Sequence, residues 1–239
     1  MKKLLIVFMS IVMILSLGII INASDTGGEK TIITGEIAPT PEEYEEYLNS
    51  LTDEELKIID KKIKEAEELA NQPQPRATMI NIGGAYIVYQ QEQSNYCVPA
   101  CIKSTLQFIN GDSPSQSRIA SDLNITPTGV VITKIAPYIN SKISGFTYVH
   151  AMNPTKTNML NWIYSTVSNK KPPSMSIVNT TGANWHYATA GHRLNIVSIY
   201  SDKSIIEFAD PLGQTQSGWP YYYTKSADIA HRVCRDIIW

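Results

Sequence analysis

The chain has 239 residues, 43% hydrophobic and 18% charged, with a formal net charge of −2. This balance suits one sizeable globular domain with appendages and excludes collagen-like or globally disordered chains. The three cysteines (Cys97, Cys101, Cys234) are too few and odd in number for a disulfide framework. The four histidines (His150, His186, His192, His231) show no ligand spacing relative to them, so no zinc site is expected.

At the N-terminus, Lys2 and Lys3 precede an apolar run from Leu4 to Ile21, followed by Asn22 and Ala23. This is the pattern of an export signal covering residues 1–23, which predicts a secreted or cell-surface protein. At 18 residues the run also reaches the edge of what spans a bilayer, so a retained anchor is the alternative, and only then is the membrane a partner.

Residues 24–75 are acidic and helical in pattern. Thr40 with Glu43 and Thr52 with Glu55 are two capping signatures, each predicting a helix start. The stretch QPQPR, residues 72–76, stops the second helix and predicts an extended linker with a domain boundary near Arg76. Charge changes sign there: residues 24–72 hold 14 acidic and 5 basic groups (−9), and residues 76–239 hold 13 basic and 8 acidic groups (+5). The acidic segment is either a solvated spacer or a prosegment that docks on the positively charged domain and restrains it. The basic residues are scattered and accompany no recognition motif, so no nucleic-acid partner is expected.

In QQEQSNYCVPACIKSTLQFING, residues 90–111, Pro99 fits a helix only in its first turn, which sets the helix start near Tyr96. Val98, Cys101, Ile102, Leu106 and Ile109 then form an apolar stripe, and Asn110-Gly111 is the stop. Cys97 therefore lies in the first turn, where free N–H groups and the helix dipole favour a thiolate, and is the candidate nucleophile. Cys101 lies one turn on, facing the core, as a small buried hydrophobe or a disulfide partner of Cys234. A thiolate attacking a carbonyl needs donors for the resulting oxyanion. The N–H of Cys97 can be one, and an upstream side-chain amide from Gln90, Gln91 or Gln93 the other.

The base is sought among the histidines. GHRLNIVSIYSDKSIIEFADPLG reads as two strands around a polar break at residues 201–203, and the midpoint of His192 and Asp210 is residue 201. A hairpin folded there brings the two to one level across neighbouring strands about 4.8 Å apart, within reach of an imidazole–carboxylate hydrogen bond. His186 would stand about 20 Å further along an extended strand, and His150 and His231 have no such partner. The aromatic group TQSGWPYYYT and Trp185 either line a cleft, shield the His192–Asp210 bond, or pack the core.

NYCVPA before a helix, SPSQSRIASDLNITPTG, GHRLNIVSIY and FADPLG together resemble the papain-like cysteine peptidases, and among them secreted relatives of the bacteriocin-processing peptidases (peptidase family thirty-nine-like). The resemblance spans roughly residues 86–213. In papain-like enzymes a glutamine six residues before the nucleophile supplies the side-chain oxyanion donor. Gln91 stands six before Cys97, whereas Asn95 stands six before Cys101. Asp210 matches the family's orienting aspartate. Val98 departs from the glycine common in the family after the cysteine. The absence of transporter segments argues against carrying over leader removal during export.

Helices are predicted at 96–109, 114–123 (started by Ser113, Pro114 and Gln116), 130–140 and 156–168, with strands from Ser174 onward, an α+β order. The resemblance implies a papain-like fold over residues 76–239, with N-terminal helices carrying the nucleophile packed on a C-terminal antiparallel sheet. The expectation is a secreted cysteine peptidase using Cys97, His192, Asp210 and Gln91, acting on a peptide or protein substrate and requiring no metal or organic cofactor. The alternatives are another thiol acyl-transfer enzyme on the same scaffold, such as a cell-wall amidase or transamidase, or a catalytically silent binding module.

Overall fold

The computed structural model describes residues 31–32, 35–73, 77–213, 218 and 220–239. The candidate export signal, residues 74–76 at the linker, and Trp219 lie outside these. Among the described residues no helix is long and apolar enough to cross a membrane.

The first two helices, α1 (Pro41–Ser50) and α2 (Asp53–Asn71), begin at complete capping boxes. The Thr40 and Thr52 hydroxyls accept the Glu43 and Glu55 N–H groups at 3.2 Å, and the two glutamate carboxylates accept the Thr40 and Thr52 N–H groups at 2.7 and 2.8 Å. Four first-turn or cap donors are thereby satisfied locally. Helix α2 buries Ile59 and Ala66 in the main core, so this segment packs on the rest of the chain through apolar side chains. Lys62 reinforces the contact by donating to the Thr147 and Trp239 carbonyls, each at 2.7 Å, while lying over the Phe146 and Trp239 rings.

Helix α3 (Cys97–Asn110) has Tyr96 as its N-cap and ends at Gly111, whose φ of +75° is left-handed and whose N–H donates to the Gln107 carbonyl. Helix α4 (Gln116–Asp122) starts two residues later than Pro114 suggests. Ser115 is its cap, accepting the Arg118 N–H at 3.2 Å. The helix predicted at 130–140 divides into a short strand (Val130–Val131), a 3₁₀ turn (Ile132–Lys134) and α5 (Ile135–Asn140). Pro137 explains the late start, because proline is tolerated only in a helix's first turn. Helix α6 (Lys156–Ser168) covers the predicted span and is capped by Thr155.

Among the described residues the main sheet has seven strands. It contains β3 (Met79–Asn81), β5 (His150–Met152), β6 (Ser174–Ile177), β8 (His192–Tyr200), β9 (Ile205–Ala209), β10 (Tyr222–Ser226) and β11 (Cys234–Ile238), while β1 (Thr31–Ile32) pairs with β7 (Ala188–Thr189) and β2 (Glu36–Ile37) with β4 (Val130–Val131) outside it. The order is β10-β9-β8-β6-β11-β5, antiparallel throughout, with β3 paired to the outer half of β8. Strands β3 and β5 precede Ser174, and helix α7 (Ala227–Val233) interrupts the strand region, so helices and strands are less segregated than predicted. The α+β class holds.

Two hydrophobic clusters result. One fills the helical layer, where Val98, Ile102 and Leu106 of α3 meet Ile119, Ile132 and Ile135. The other lies between the sheet and the helices α2 and α6, with Ile163, Met175, Leu194, Ile196 and Phe208 at its centre. Helix α3 packs on β8 at the junction and is pinned there: Cys101 Sγ donates to the Arg193 carbonyl at 3.3 Å, and Asn195 Nδ2 donates to the Cys101 carbonyl at 2.9 Å.

Candidate active site

Cys97 is the first residue of α3, with its N–H among the four that a helix leaves without an intrahelical partner. Helical phase sends Val98 into the helical core, where its side chain packs. Cys101 faces β8 in a buried position where burial pushes its thiol well above the ordinary range, leaving it protonated and unreactive. Cys101 and Cys234 are free thiols.

His192 opens β8, and its Nε2 and the Asp210 Oδ1 lie 2.8 Å apart, both side chains being essentially inaccessible to solvent. The pairing differs in register from the symmetric hairpin. Asn195 pairs with Ala209 and Ser198 with Glu207, with an irregularity between Ile196 and Ser198. The turn is displaced because the Asp202 carboxylate accepts the Ser204 N–H at 3.0 Å and Lys203 takes a left-handed φ of +60°. Asp210 therefore lies just past the end of β9, and reaches His192 from the turn rather than from a position directly across the ladder.

With Nε2 engaged by Asp210, Nδ1 is the nitrogen left to exchange a proton with sulfur. Among the described residues Nδ1 has no hydrogen-bond partner, and Cys97 is one of the groups that favour the charged ring. Burial opposes a charged His192, but the Asp210 carboxylate, its hydrogen bond and Cys97 outweigh that cost and raise the imidazole to about 10. Burial likewise opposes ionisation of Asp210, and the His192 charge, the His192 and Tyr187 hydrogen bonds and the Leu212 N–H hold it below the ordinary carboxylate value. The favoured state is thus an imidazolium between a carboxylate and sulfur.

Gln91 is buried, and its amide nitrogen donates to the Gln93 carbonyl at 3.0 Å and the Ser94 carbonyl at 3.1 Å. These two acceptors fix the orientation of the amide and tie it to the loop that leads to Cys97. Gln90 is engaged elsewhere, accepting from the Tyr221 hydroxyl at 3.0 Å.

The remaining histidines are placed differently from the extended-strand estimate. The chain before β8 turns back, so His186 stands edge-on to Tyr223 with ring centroids 4.5 Å apart. His150 does have a carboxylate neighbour, with Nε2 3.4 Å from Asp236 Oδ1, but it sits edge-on to Tyr44 and Tyr47, and Asp236 is committed to Arg193 at 2.6 Å. His231 Nε2 contacts the Pro154 carbonyl at 3.1 Å. Trp185 is buried behind Asp210, donating to the Tyr223 hydroxyl at 3.2 Å and packing on Phe208, which makes it core rather than cleft.

One feature of the site has no counterpart in the sequence reading. Residues 35–37 run beside it, where Glu36 pairs with Val130 and Ile37 with Val131 in a parallel ladder. A side chain at Gly35 would collide with the Asn95 backbone, and one at Gly129, whose φ is +115°, with the Gly35 backbone. Glu36 is buried against Arg193, Arg235 and Ser176. The segment thus touches residues on both sides of the Cys97–His192 junction.

No protein-family model matches the chain, and no curated protein matches it. Among solved structures, it is similar to the crystal structure of xylellain, a cysteine protease from Xylella fastidiosa, with a TM-score of 0.53 at 10% identity, covering 90% of this chain and 98% of that chain. The fold is papain-like. The helix that begins at Cys97 lies against the antiparallel sheet at β8, which begins at His192. The likeness is one of architecture.

Proposed function

We propose that the chain is a secreted cysteine peptidase held in check by its own N-terminal segment. The observation that carries this reading is the 2.8 Å contact between His192 and Asp210 on the sheet, with Cys97 at the head of α3 interacting with the same imidazole. Sulfur as thiolate attacks the carbonyl carbon of a peptide bond, and the oxyanion is received by the Cys97 N–H and the Gln91 amide. His192 gives its proton to the departing amine, and then removes one from the water that cleaves the thioester. Asp210 keeps the ring in orientation throughout. Gln91 exchanges one of its loop carbonyls for the oxyanion during this cycle. Secretion rests on Lys2, Lys3 and the Leu4–Ile21 run, and descent from the bacteriocin-processing branch rests on the order of motifs around Cys97, His192 and Asp210.

Restraint by residues 24–75 follows from burial. Cys97 and His192 are both 0% exposed, while Gly35 and Glu36 lie against Asn95, Gly191 and Arg193. Among the described residues, the ion pairs that join this segment to the rest of the chain are those of Glu36. The other acidic groups on α1 and α2 largely face solvent, and so a diffuse attraction between acidic and basic halves is replaced by one buried carboxylate and an apolar helix face.

The test is incubation of the full chain, Cys97→Ala and Glu36→Gln with a peptide library and, separately, with peptidoglycan, read by mass spectrometry. Peptide products that form after a lag in the full chain, sooner in Glu36→Gln and never in Cys97→Ala are expected. No peptide hydrolysis by either active form overturns the peptidase reading, and release of peptidoglycan fragments in its place identifies an amidase. Immediate hydrolysis unaffected by Glu36→Gln overturns the restraint.

A further inference from the structure

Two tyrosines converge on the far oxygen of Asp210. Tyr187, in the turn before β8, donates its hydroxyl to Oδ2 at 2.5 Å, and Tyr223, on β10, donates to the same atom at 2.8 Å. The near oxygen, Oδ1, faces His192 Nε2 at 2.8 Å and the Leu212 N–H at 2.9 Å. The carboxylate therefore has about four donors, which is about as many as an ionised carboxylate accepts.

A carboxyl buried in this way ordinarily avoids charge by keeping its proton. Donors aimed at the charged form reverse that preference, and phenols serve well because they stay protonated: burial and the Asp210 charge hold Tyr187 and Tyr223 well above 10. The direction of donation is also fixed at Tyr223. Trp185 Nε1 donates into its oxygen at 3.2 Å, which leaves the phenolic proton for Asp210. Tyr187 additionally stands edge-on to the His192 ring, with centroids 5.8 Å apart, so it touches both partners of the pair.

We propose that Tyr187 and Tyr223 are positioning residues, whose hydroxyls hold Asp210 as a fixed carboxylate behind His192. For its effect on turnover this rests on the peptidase reading; its geometry does not. Without the two hydroxyls, Oδ2 becomes a buried acceptor lacking donors, and the carboxyl turns or takes a proton. Its hold on the imidazolium then weakens. Other titratable and charged groups around the pair are Cys97 and Cys101 from α3 and His186 from the preceding turn, with Lys225 beyond His186 and Arg193 and Glu36 beyond Cys101. They are unchanged in a Tyr-to-Phe substitution, which removes only the hydroxyl.

The experiment titrates the His192 ring by NMR in the full chain, in Tyr187→Phe, in Tyr223→Phe and in the double variant. The expected result is a midpoint about one unit lower in the double variant, equivalent to about tenfold less imidazolium at a given alkaline pH, with smaller shifts in each single variant. In turnover, kcat falls and KM holds. An unmoved His192 midpoint in the folded single variants, even with a lowered Tm, marks the tyrosines as structural only and overturns the assignment; should the double variant not fold, the singles decide. If the parent chain hydrolyses no peptide, the peptidase reading fails alone, because the ring titration still judges the tyrosines.

Discussion

Glu36 Oε1 accepts the Nε–H of Arg193 at 2.5 Å, with neither side chain exposed, although 157 residues separate them. Arg193 follows His192 directly and also donates to Asp236 at 2.6 Å, so the strand start that bears His192 is tied to the N-terminal segment through a buried ion cluster. Breaking one partner of a buried pair leaves a charge without compensation, at a cost of about 3 kcal/mol. Glu36→Gln is therefore expected to lower the free energy of unfolding by that amount, moving the urea midpoint down with it, and to speed alkylation of Cys97 by iodoacetamide. An unchanged midpoint and rate would show that the pair bears no weight.

The proposed function separates the two cysteines of α3. Cys97→Ala is expected to abolish hydrolysis with the fold kept. Cys101→Ala removes a buried sulfur and its bond to the Arg193 carbonyl, and is expected to cost about 1–2 kcal/mol of stability while turnover persists. Parallel assays of hydrolysis and thermal unfolding read both effects, and the reverse pattern refutes the assignment.

Stability should depend on pH through the His192–Asp210 pair. His192 is raised in the folded state from 6.5 to about 10, so its contribution is fully present below pH 6.5 and is lost as pH rises through about 10. Asp210 is lowered, so its contribution is present above pH 3.8 and is lost as pH falls through its depressed folded value. Thermal unfolding followed from pH 5 to 10 should show a decline above pH 6.5 that Asp210→Asn flattens. A decline of equal size in that variant assigns it to other groups.

Gln91 carries a prediction on rate. Loss of one oxyanion donor costs about 10²–10³ in kcat. Gln91→Ala should show that loss with KM little changed, measured on a short peptide substrate. Its amide also supports the loop through the Gln93 and Ser94 carbonyls, so Gln91→Glu, which keeps the shape but repels both acceptors, should be no better. Full activity in Gln91→Ala removes it from the site.

How much of this is legible in the sequence depends on how local each interaction is. The starts of α1, α2 and α6 are legible because a hydroxyl and an N–H three residues apart decide them. Helix α3 is legible from Pro99 and Gly111. The His192–Asp210 contact is legible from the hairpin's approximate symmetry, yet its register is not, since the displacement at Asp202–Lys203 and the irregularity at Ile196–Ser198 depend on side-chain capping and packing. Strands of three residues such as Met79–Asn81 and His150–Met152 carry too little alternation to be read. The Glu36–Arg193–Asp236 cluster and the tyrosines behind Asp210 join distant parts of the chain. An arginine at the head of the strand HRLNIV is the one local hint of such a cluster, while Tyr187 and Tyr223 look like ordinary aromatic packing until the fold brings them together.

Cys97 belongs to the hydrophobic cluster of the helical layer, whereas the residues surrounding Asp210 belong to the cluster between sheet and helices. Sulfur and imidazole are thus mounted on separately packed bodies, and their spacing is inherited from the seam where α3 meets β8. A misplacement of about 1 Å at reacting atoms is enough to cost about 10²-fold in rate. Repacking at Leu106 or Ile196, neither of which need approach a bound peptide, therefore offers a throttle on chemistry: the layers slide, the reacting partners drift apart, and turnover drops while every reactive group stays intact.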